Sequence, residues 1–438
     1  MVRRESRGFS SYRACLEWLF ARHRFVMKPG LDRVEWLLGE LGSPQERFRV
    51  VHVGGTNGKG STSCMIASVL TEHDRRTGLY TSPHVVDFSE RIQIDGRPIT
   101  PDRVVELVER VRPAAEEIEA TFFEITTAVA ALYFAEEAVD LAVAEVGLGG
   151  RLDATNALDS MLSVITHVAV DHSEVLGSDI AAIASEKAGI IRDSGIVVCG
   201  AEGDALDVIR GVAAARRAKL VSVGEESAVH EVAVSSNGSS FNLEYGPAAY
   251  EGLSVAMLGR HQVDNARVAV VALLELESAG VLGLSERSLR RGLSEACCTG
   301  RLQVIDRRPT LVADVAHNPD GAAALMDSLS EVFDYDRLIA VVGIMGDKDM
   351  GGFLSSFQGR VDMTILTRPA TPRAAELGVL ADIADKLGLP HRVVPTAGAA
   401  LKSALSEARE GDLVLVTGSH YTVGDVLISL GVGQTLDA

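Results

Sequence analysis

From residue 49 onward short apolar runs alternate with longer amphipathic stretches, and this alternation dictates most of the fold. Apolar strands are expected at Arg49–Val53, Thr77–Thr81, Leu141–Val146, Ser163–Val168 and Ile196–Cys199. Between them apolar positions recur at helical spacing, which predicts helices from about Ser61, within Asp102–Glu119, over Glu124–Ala138 and near Ile180–Ile191. Apolar strands separated by helices belong to a parallel sheet covered on both faces, because each crossover helix must lie against the sheet it connects. From Val229 to Val255 the period falls to two, with Asn237-Gly238 between two alternating runs; this predicts a β-hairpin serving as an antiparallel edge or flap. Helical spacing returns at Val263–Ser278 and Ser285–Ala296. A second strand series follows at Leu311–Val315, Leu338–Val342, Met363–Leu366, Val393–Val394 and Leu413–Thr417.

Composition narrows the class. The chain has 438 residues, 47% of them hydrophobic and 23% charged, enough for two or three ordinary cores. A net charge of −18 excludes a nucleic-acid surface, since polyanion binding needs concentrated Lys and Arg. The five cysteines have no C-x-x-C spacing and their number is odd, which points to a reducing cytoplasm. The basic N-terminal run is interrupted by Arg, Glu and Ser, so no signal peptide is expected, and no apolar run approaches a membrane span.

Val51–Thr62, VHVGGTNGKGST, carries the strongest chemical signal: a buried strand entering a glycine-rich turn, a lysine and a helix start. Glycines let successive N–H groups converge, the helix N-terminus adds partial positive charge, and Lys59 supplies a point charge for β- and γ-phosphates. The spacing is a variant of the nucleotide loop, with three residues between Gly54 and Gly58, and Gly60 between Lys59 and Ser61. The expected fold class is therefore α/β. A large phosphate-loop domain with a mainly parallel sheet and an N-terminal helical segment is expected over 1–297, and a smaller C-terminal α/β domain over 298–438. Ligands of open α/β sheets sit beyond the carboxyl ends of the strands, which makes the cleft between the domains the expected active site.

Other polar groups stand at strand ends. Glu145 ends an apolar strand before GLGGR and can either hold Mg²⁺ or pair with Arg151. Asp171-His172 ends a further strand, where a histidine is a ligand or a satisfied core residue. Lys187, in SEKAGII, is either a solvated helix lysine or a partly buried amine able to react with carbon dioxide as a carbamate. Asp314 and His317 bound a polar turn of the second domain, and Arg301 at the junction can reach phosphates from the opposite side.

Taken in order, these motifs resemble the folylpolyglutamate synthase/dihydrofolate synthase branch of the Mur ligases. The series runs through Gly30-Leu31, Gly55-Thr-Asn-Gly-Lys59-Gly-Ser61, Ser82-Pro-His84, Phe123-Glu124, Glu145 to Asn156, Asp171-His172, Glu186-Lys187, Gly300-Arg301, Asp314 to Pro319 and Asp347-Lys-Asp349. The resemblance implies ATP-dependent ligation of L-glutamate to a pterin-bearing carboxylate through an acyl phosphate, on both dihydropteroate and folates that already carry glutamate. The alternative is a folylpolyglutamate synthase without dihydrofolate synthase activity. It further implies ATP contacts at Thr56, Asn57, Gly58, Lys59, Gly60, Ser61, Asn265, Arg301 and Asp314, and one or two Mg²⁺ ions at Ser82, Glu145 and His172. Lys59, His172, Lys187 and His317 match catalytic positions, with Lys187 carried as a carbamate. The pterin would lie against Gly30, Leu31, Phe123, Glu124, Leu152, Asp153 and Ala154. The Trp-Pro often found before Gly300 is replaced by Cys297-Cys298-Thr299. A peptidoglycan-precursor ligase would carry a separate domain before its phosphate loop, and a non-catalytic relative would lack Lys59, Glu145, His172 or Lys187. The expected working unit is a cytoplasmic monomer acting on small molecules, without nucleic-acid or membrane partners.

Overall fold

β1 (Arg49–Gly54) is buried from its second residue onward and lies at the centre of an eight-stranded sheet. In this computed structural model, which describes residues 8–22, 30–171, 177 and 179–432, the other strands of that sheet are β2 (Thr77–Tyr80), β3 (Ile92–Ile94), β4 (Arg97–Pro98), β5 (Leu141–Glu145), β6 (Ser160–Ile165), β7 (Ile196–Cys199) and β8 (Lys219–Ser222). Their order is β4-β3-β2-β5-β1-β6-β7-β8, with only β3 running against the others. The chain leaves β1 for β2 toward one edge and leaves its neighbour β5 for β6 toward the other, so the carboxyl ends of β1 and β5 form the switch point where such sheets bind ligands. Register places Val53 beside Glu145 on one side and beside Val164 on the other.

The period-two region folds as expected into a hairpin, β9 (Ser227–Ser235) and β10 (Gly238–Tyr245), to which β11 (Ala248–Val255) adds a third strand. It forms a sheet of its own and is no edge of the parallel sheet: Phe241, Leu243, Leu253 and Val255 pack on the buried face of the Arg260–Ser278 helix. A further six-stranded sheet comprises β12 (Gln303–Arg307), β13 (Thr310–Ala313), β14 (Leu338–Val342), β15 (Met363–Arg368), β16 (His391–Thr396) and β17 (Leu413–Thr417), in the order β12-β13-β17-β14-β15-β16. Only β12 runs antiparallel.

One correction bears on the site. The strand expected at Ser163–Val168 begins and ends three residues earlier, because Thr166–Val168 leaves the sheet to run beneath the glycine loop, where the His167 carbonyl accepts the Thr56 N–H at 2.7 Å.

Candidate active site

Two glycines shape the turn after β1. Gly55 has φ +141°, and a Cβ there would fall 1.9 Å from Thr166 Oγ1; Gly58 has φ +84°, and its Cβ would fall 2.1 Å from Asn265 Oδ1. No side-chain-bearing residue fits either place without displacing its neighbour. The loop is pinned from below, since Thr166 Oγ1 donates to the Asn57 carbonyl at 2.8 Å and Thr56 Oγ1 to the Ala169 carbonyl at 2.9 Å. Lys59 opens the Lys59–Glu72 helix and folds back so that Nζ donates to the Thr56 carbonyl at 3.0 Å. Gly60 and Ser61 are buried in the first turn. Free amides and a helix N-terminus thus face the same space as the lysine, which is an anion site.

Glu145 ends β5 beside this loop and is buried, with Oε2 accepting the Ser82 N–H at 3.1 Å. A Cβ on Gly60 would lie 3.3 Å from Arg301 Nη2 and 3.6 Å from Glu145 Oε2, so loop backbone, carboxylate and guanidinium converge. Burial pushes the Glu145 carboxyl up, against the pull of Lys59, the Ser82 amide and Arg301. Arg151 does not pair with Glu145; it binds Glu186 at 2.6 Å. A buried carboxylate beside a serine is an oxygen donor set suited to a hard cation such as Mg²⁺. His172, the third expected ligand and an expected catalytic residue, lies outside the described residues. Among the described residues no group of three His, Cys, Asp or Glu side chains is placed to hold a metal.

Lys187, on the Ile180–Ala188 helix, is 4% exposed and donates from Nζ to the Gly55 carbonyl at 2.7 Å. Burial, reinforced by Lys59 and opposed by Asp171, lowers its pKa to about 7. A large fraction of the amine is then uncharged and nucleophilic near neutrality.

The far wall comes from the second parallel sheet. Asp314 follows β13 and accepts the Leu302 N–H through Oδ2 and the Ala316 N–H through Oδ1, both at 2.8 Å, which ties the Arg301 stretch to the strand end. His317 Nδ1 bonds the Val315 carbonyl at 2.9 Å. Asn318 caps the Pro319–Val332 helix and donates from Nδ2 to Asn57 Oδ1 at 3.0 Å, joining this wall to the glycine loop. Asn265 stands opposite Gly58 and donates to Gln262 Oε1 at 3.0 Å. All the described residues expected to bind nucleotide or metal, or to act in catalysis, line one cavity of about 680 Å³, a volume in the range of cofactor sites.

The residues expected to meet the pterin form a second group outside that cavity. Gly30 lies before the Asp32–Glu40 helix; Leu31 and Phe123 pack on the apolar cluster that contains Ala154. A Cβ on Gly147, which lines the cavity, would fall 2.5 Å from Phe123 Cζ, so the two groups meet at Gly147. Leu152 is exposed, whereas Asp153 is buried and accepts the Leu148 and Thr155 N–H groups at 2.9 and 3.0 Å, shaping the turn between them. Glu124 completes a capping box with Thr121 and binds Arg33 Nη2 at 2.8 Å, so its carboxylate is engaged within the protein. Sequence reasoning gave no individual role to Lys348, Ser419 or His420, which also line the cavity. Ser419-His420 follows β17 as His317 follows β13, and the same strand-end rule would have found it.

Comparison with known proteins identifies the family. The chain matches the Mur ligase middle domain over residues 53–273 and the Mur ligase glutamate ligase domain over residues 300–420. It is 33% identical over 431 residues to the dihydrofolate synthase/folylpolyglutamate synthase of Bacillus subtilis, covering 95% of this chain and 99% of that one. The chain belongs to the dihydrofolate synthase/folylpolyglutamate synthase family. Two solved structures of the family superpose closely. Mycobacterium tuberculosis folylpolyglutamate synthase complexed with ADP is 32% identical, with a TM-score of 0.91 over 96% of this chain and 98% of that one. The bifunctional folylpolyglutamate synthase/dihydrofolate synthase of Yersinia pestis, complexed with AMPPNP and a manganese ion, is 32% identical, with a TM-score of 0.88 over 98% of this chain and all of that one. ATP and a divalent metal are accordingly the family's reactants and cofactor. No helix among the described residues is long and apolar enough to cross a membrane.

Proposed function

We propose that this chain is a bifunctional dihydrofolate synthase/folylpolyglutamate synthase that joins L-glutamate to the carboxylate of dihydropteroate and of glutamate-bearing folates. The substrate carboxylate attacks the γ-phosphorus of ATP, releasing ADP and forming an acyl phosphate. The glutamate amine then attacks the acyl carbon, phosphate leaves and an amide forms. The observation that carries this reading is the convergence of the Gly55–Ser61 loop, Glu145, Lys187, Arg301 and Asp314 on one cavity.

In this reading the loop amides and Lys59 hold the triphosphate, and Arg301, Asn265 and Asp314 engage the nucleotide from the second wall. Ser82 and Glu145, with His172, hold Mg²⁺, which when bound neutralises charge that builds on the transferring phosphoryl oxygens. Lys187 acts as a carbamate: its remaining N–H keeps the bond to the Gly55 carbonyl while a new carboxylate faces the metal side. His317 lies at the same wall as a catalytic group. Gly30, Leu31, Phe123, Glu124 and Leu152–Ala154 frame the pterin, directly or by shaping the turns that do. The nucleotide-binding domain spans 1–297 and the glutamate ligase domain 298–438. The working unit is a monomer, and the five free thiols support a cytoplasmic one.

The test offers dihydropteroate and tetrahydrofolate separately, each with ATP, Mg²⁺ and L-glutamate, and resolves the products by mass. Glutamylation of both is expected. Product from tetrahydrofolate alone would leave a folylpolyglutamate synthase, and ADP release that ignores both acids would refute ligation.

A further inference from the structure

Asp171 belongs to the segment that follows β6, yet it is gripped by the second parallel sheet. Its Oδ1 accepts from Lys348 Nζ at 2.7 Å, its Oδ2 from Asn318 Nδ2 at 3.2 Å, and His317 Nε2 lies 3.6 Å from the same Oδ2. The side chains of Asp171 and Lys348 are 9% and 6% exposed. A charge removed from water to that degree is tolerated only with an opposite charge beside it, so each member fixes the other. Both residues line the cavity that holds Lys59, Lys187 and Arg301. The contact is therefore an ion pair across the cleft, at the lysine-rich part of the cavity, where charge is to be transferred.

We propose that Asp171 is a positioning residue for ligation: it seats Lys348, and with it the second wall, against the phosphate loop. The inference rests on the ligase reading above. A neighbouring contact shares the task, because Asn57 of the loop donates to Asp320 Oδ2 at 2.7 Å and accepts from Asn318. Asn318 thus touches both Asn57 and Asp171, making one hydrogen-bonded seam between loop and wall. Lys348 comes from the turn between β14 and the Met350–Ser355 helix, so losing its partner releases that turn from the cavity. The residues assigned to the pterin lie outside the cavity that Asp171 and Lys348 line. Asp171 should accordingly govern turnover and leave pterin binding alone.

The experiment is a double-mutant cycle on the full chain with Asp171→Asn, Lys348→Met and the double variant, plus Lys348→Arg as the charge-conserving control. It measures kcat, KM for the pterin acid, the Mg²⁺ requirement and Tm. Each single variant should lower kcat about tenfold or more, the double should fall within about twofold of the worse single, and KM for the pterin acid should stay within about twofold. Lys348→Arg should recover most of the turnover. Losses that multiply in the double variant, an equal loss with Arg and Met, or a raised Mg²⁺ requirement in Asp171→Asn alone would overturn the proposal. If Asp171→Asn does not fold, Lys348→Met against Lys348→Arg decides by the same kcat difference. Wild-type protein that ligates no glutamate would refute the ligase reading instead, before any variant is compared.

Discussion

The Nζ of Lys187 and the carbonyl oxygen of Gly55 are 2.7 Å apart, so a buried helix lysine is hydrogen bonded to the backbone of the phosphate loop. An amine so placed can become a carbamate without leaving its partner, because one N–H survives the reaction with carbon dioxide. Lys187→Ala should abolish ligation, and added short carboxylic acids should restore part of it. Lys187→Arg should not restore activity, since it returns a cation where an anion is required. Carbon-13 NMR under labelled carbon dioxide should show a carbamate resonance that Lys187→Ala lacks; an active Lys187→Arg enzyme would remove this role.

The same lysine sets a pH dependence of stability. Its folded pKa of about 7 lies below the ordinary 10.5, so between those values the unfolded chain holds a proton that the folded chain lacks. Stability from this group therefore rises with pH across that window and is reduced below it. Urea midpoints at pH 7 and 9, without carbon dioxide, should differ less in Lys187→Met than in the wild type. An identical drift in both would show that the buried amine titrates normally.

Glu145 is buried, ends β5 and has no ion pair with Arg151. Glu145→Gln keeps the shape and the bond from the Ser82 N–H but removes the charge. The half-saturating Mg²⁺ concentration should rise at least about tenfold and kcat should fall, with pterin binding little changed. A Mg²⁺ titration that superposes on the wild type would exclude Glu145 from the metal site.

Glu124 stabilises the Phe122–Glu136 helix from its first turn, capping it reciprocally with Thr121 and holding Arg33. Glu124→Ala removes the cap and one charged partner of the half-buried Arg33 guanidinium, and should cost about 2 kcal/mol. Calorimetry or urea unfolding measures this loss. A change below about 0.5 kcal/mol, the size of an ordinary surface substitution, would mean that the carboxylate serves substrate alone.

How far the site was legible in sequence depended on whether a residue stood at the end of an apolar run. Glu145, Asp314 and His317 did, and period-two or apolar patterning places such residues at a sheet's carboxyl edge. Thr166–Val168 misled because β-branched Thr166 and Val168 continue the strand pattern, whereas the segment spends its hydrogen bonds on the glycine loop instead of the sheet, so composition alone extended β6 past its end. The short antiparallel strands β3 and β4 offered too few residues for a period to show. The pairing of Lys348 with Asp171 joins residues 177 positions apart; only the packing of the two sheets brings them together, and no local pattern records it. Nothing in the Glu124 segment likewise announces its pairing with Arg33.

In the proposed reaction ATP activates the pterin carboxylate before glutamate attacks. Dihydropteroate carrying oxygen-18 in its carboxylate, incubated with the enzyme, ATP, Mg²⁺ and L-glutamate, tests this most directly by mass analysis of the released phosphate. Each amide formed should send one labelled oxygen into inorganic phosphate. Amide formation with unlabelled phosphate, or ATP cleavage without an amide, would contradict it.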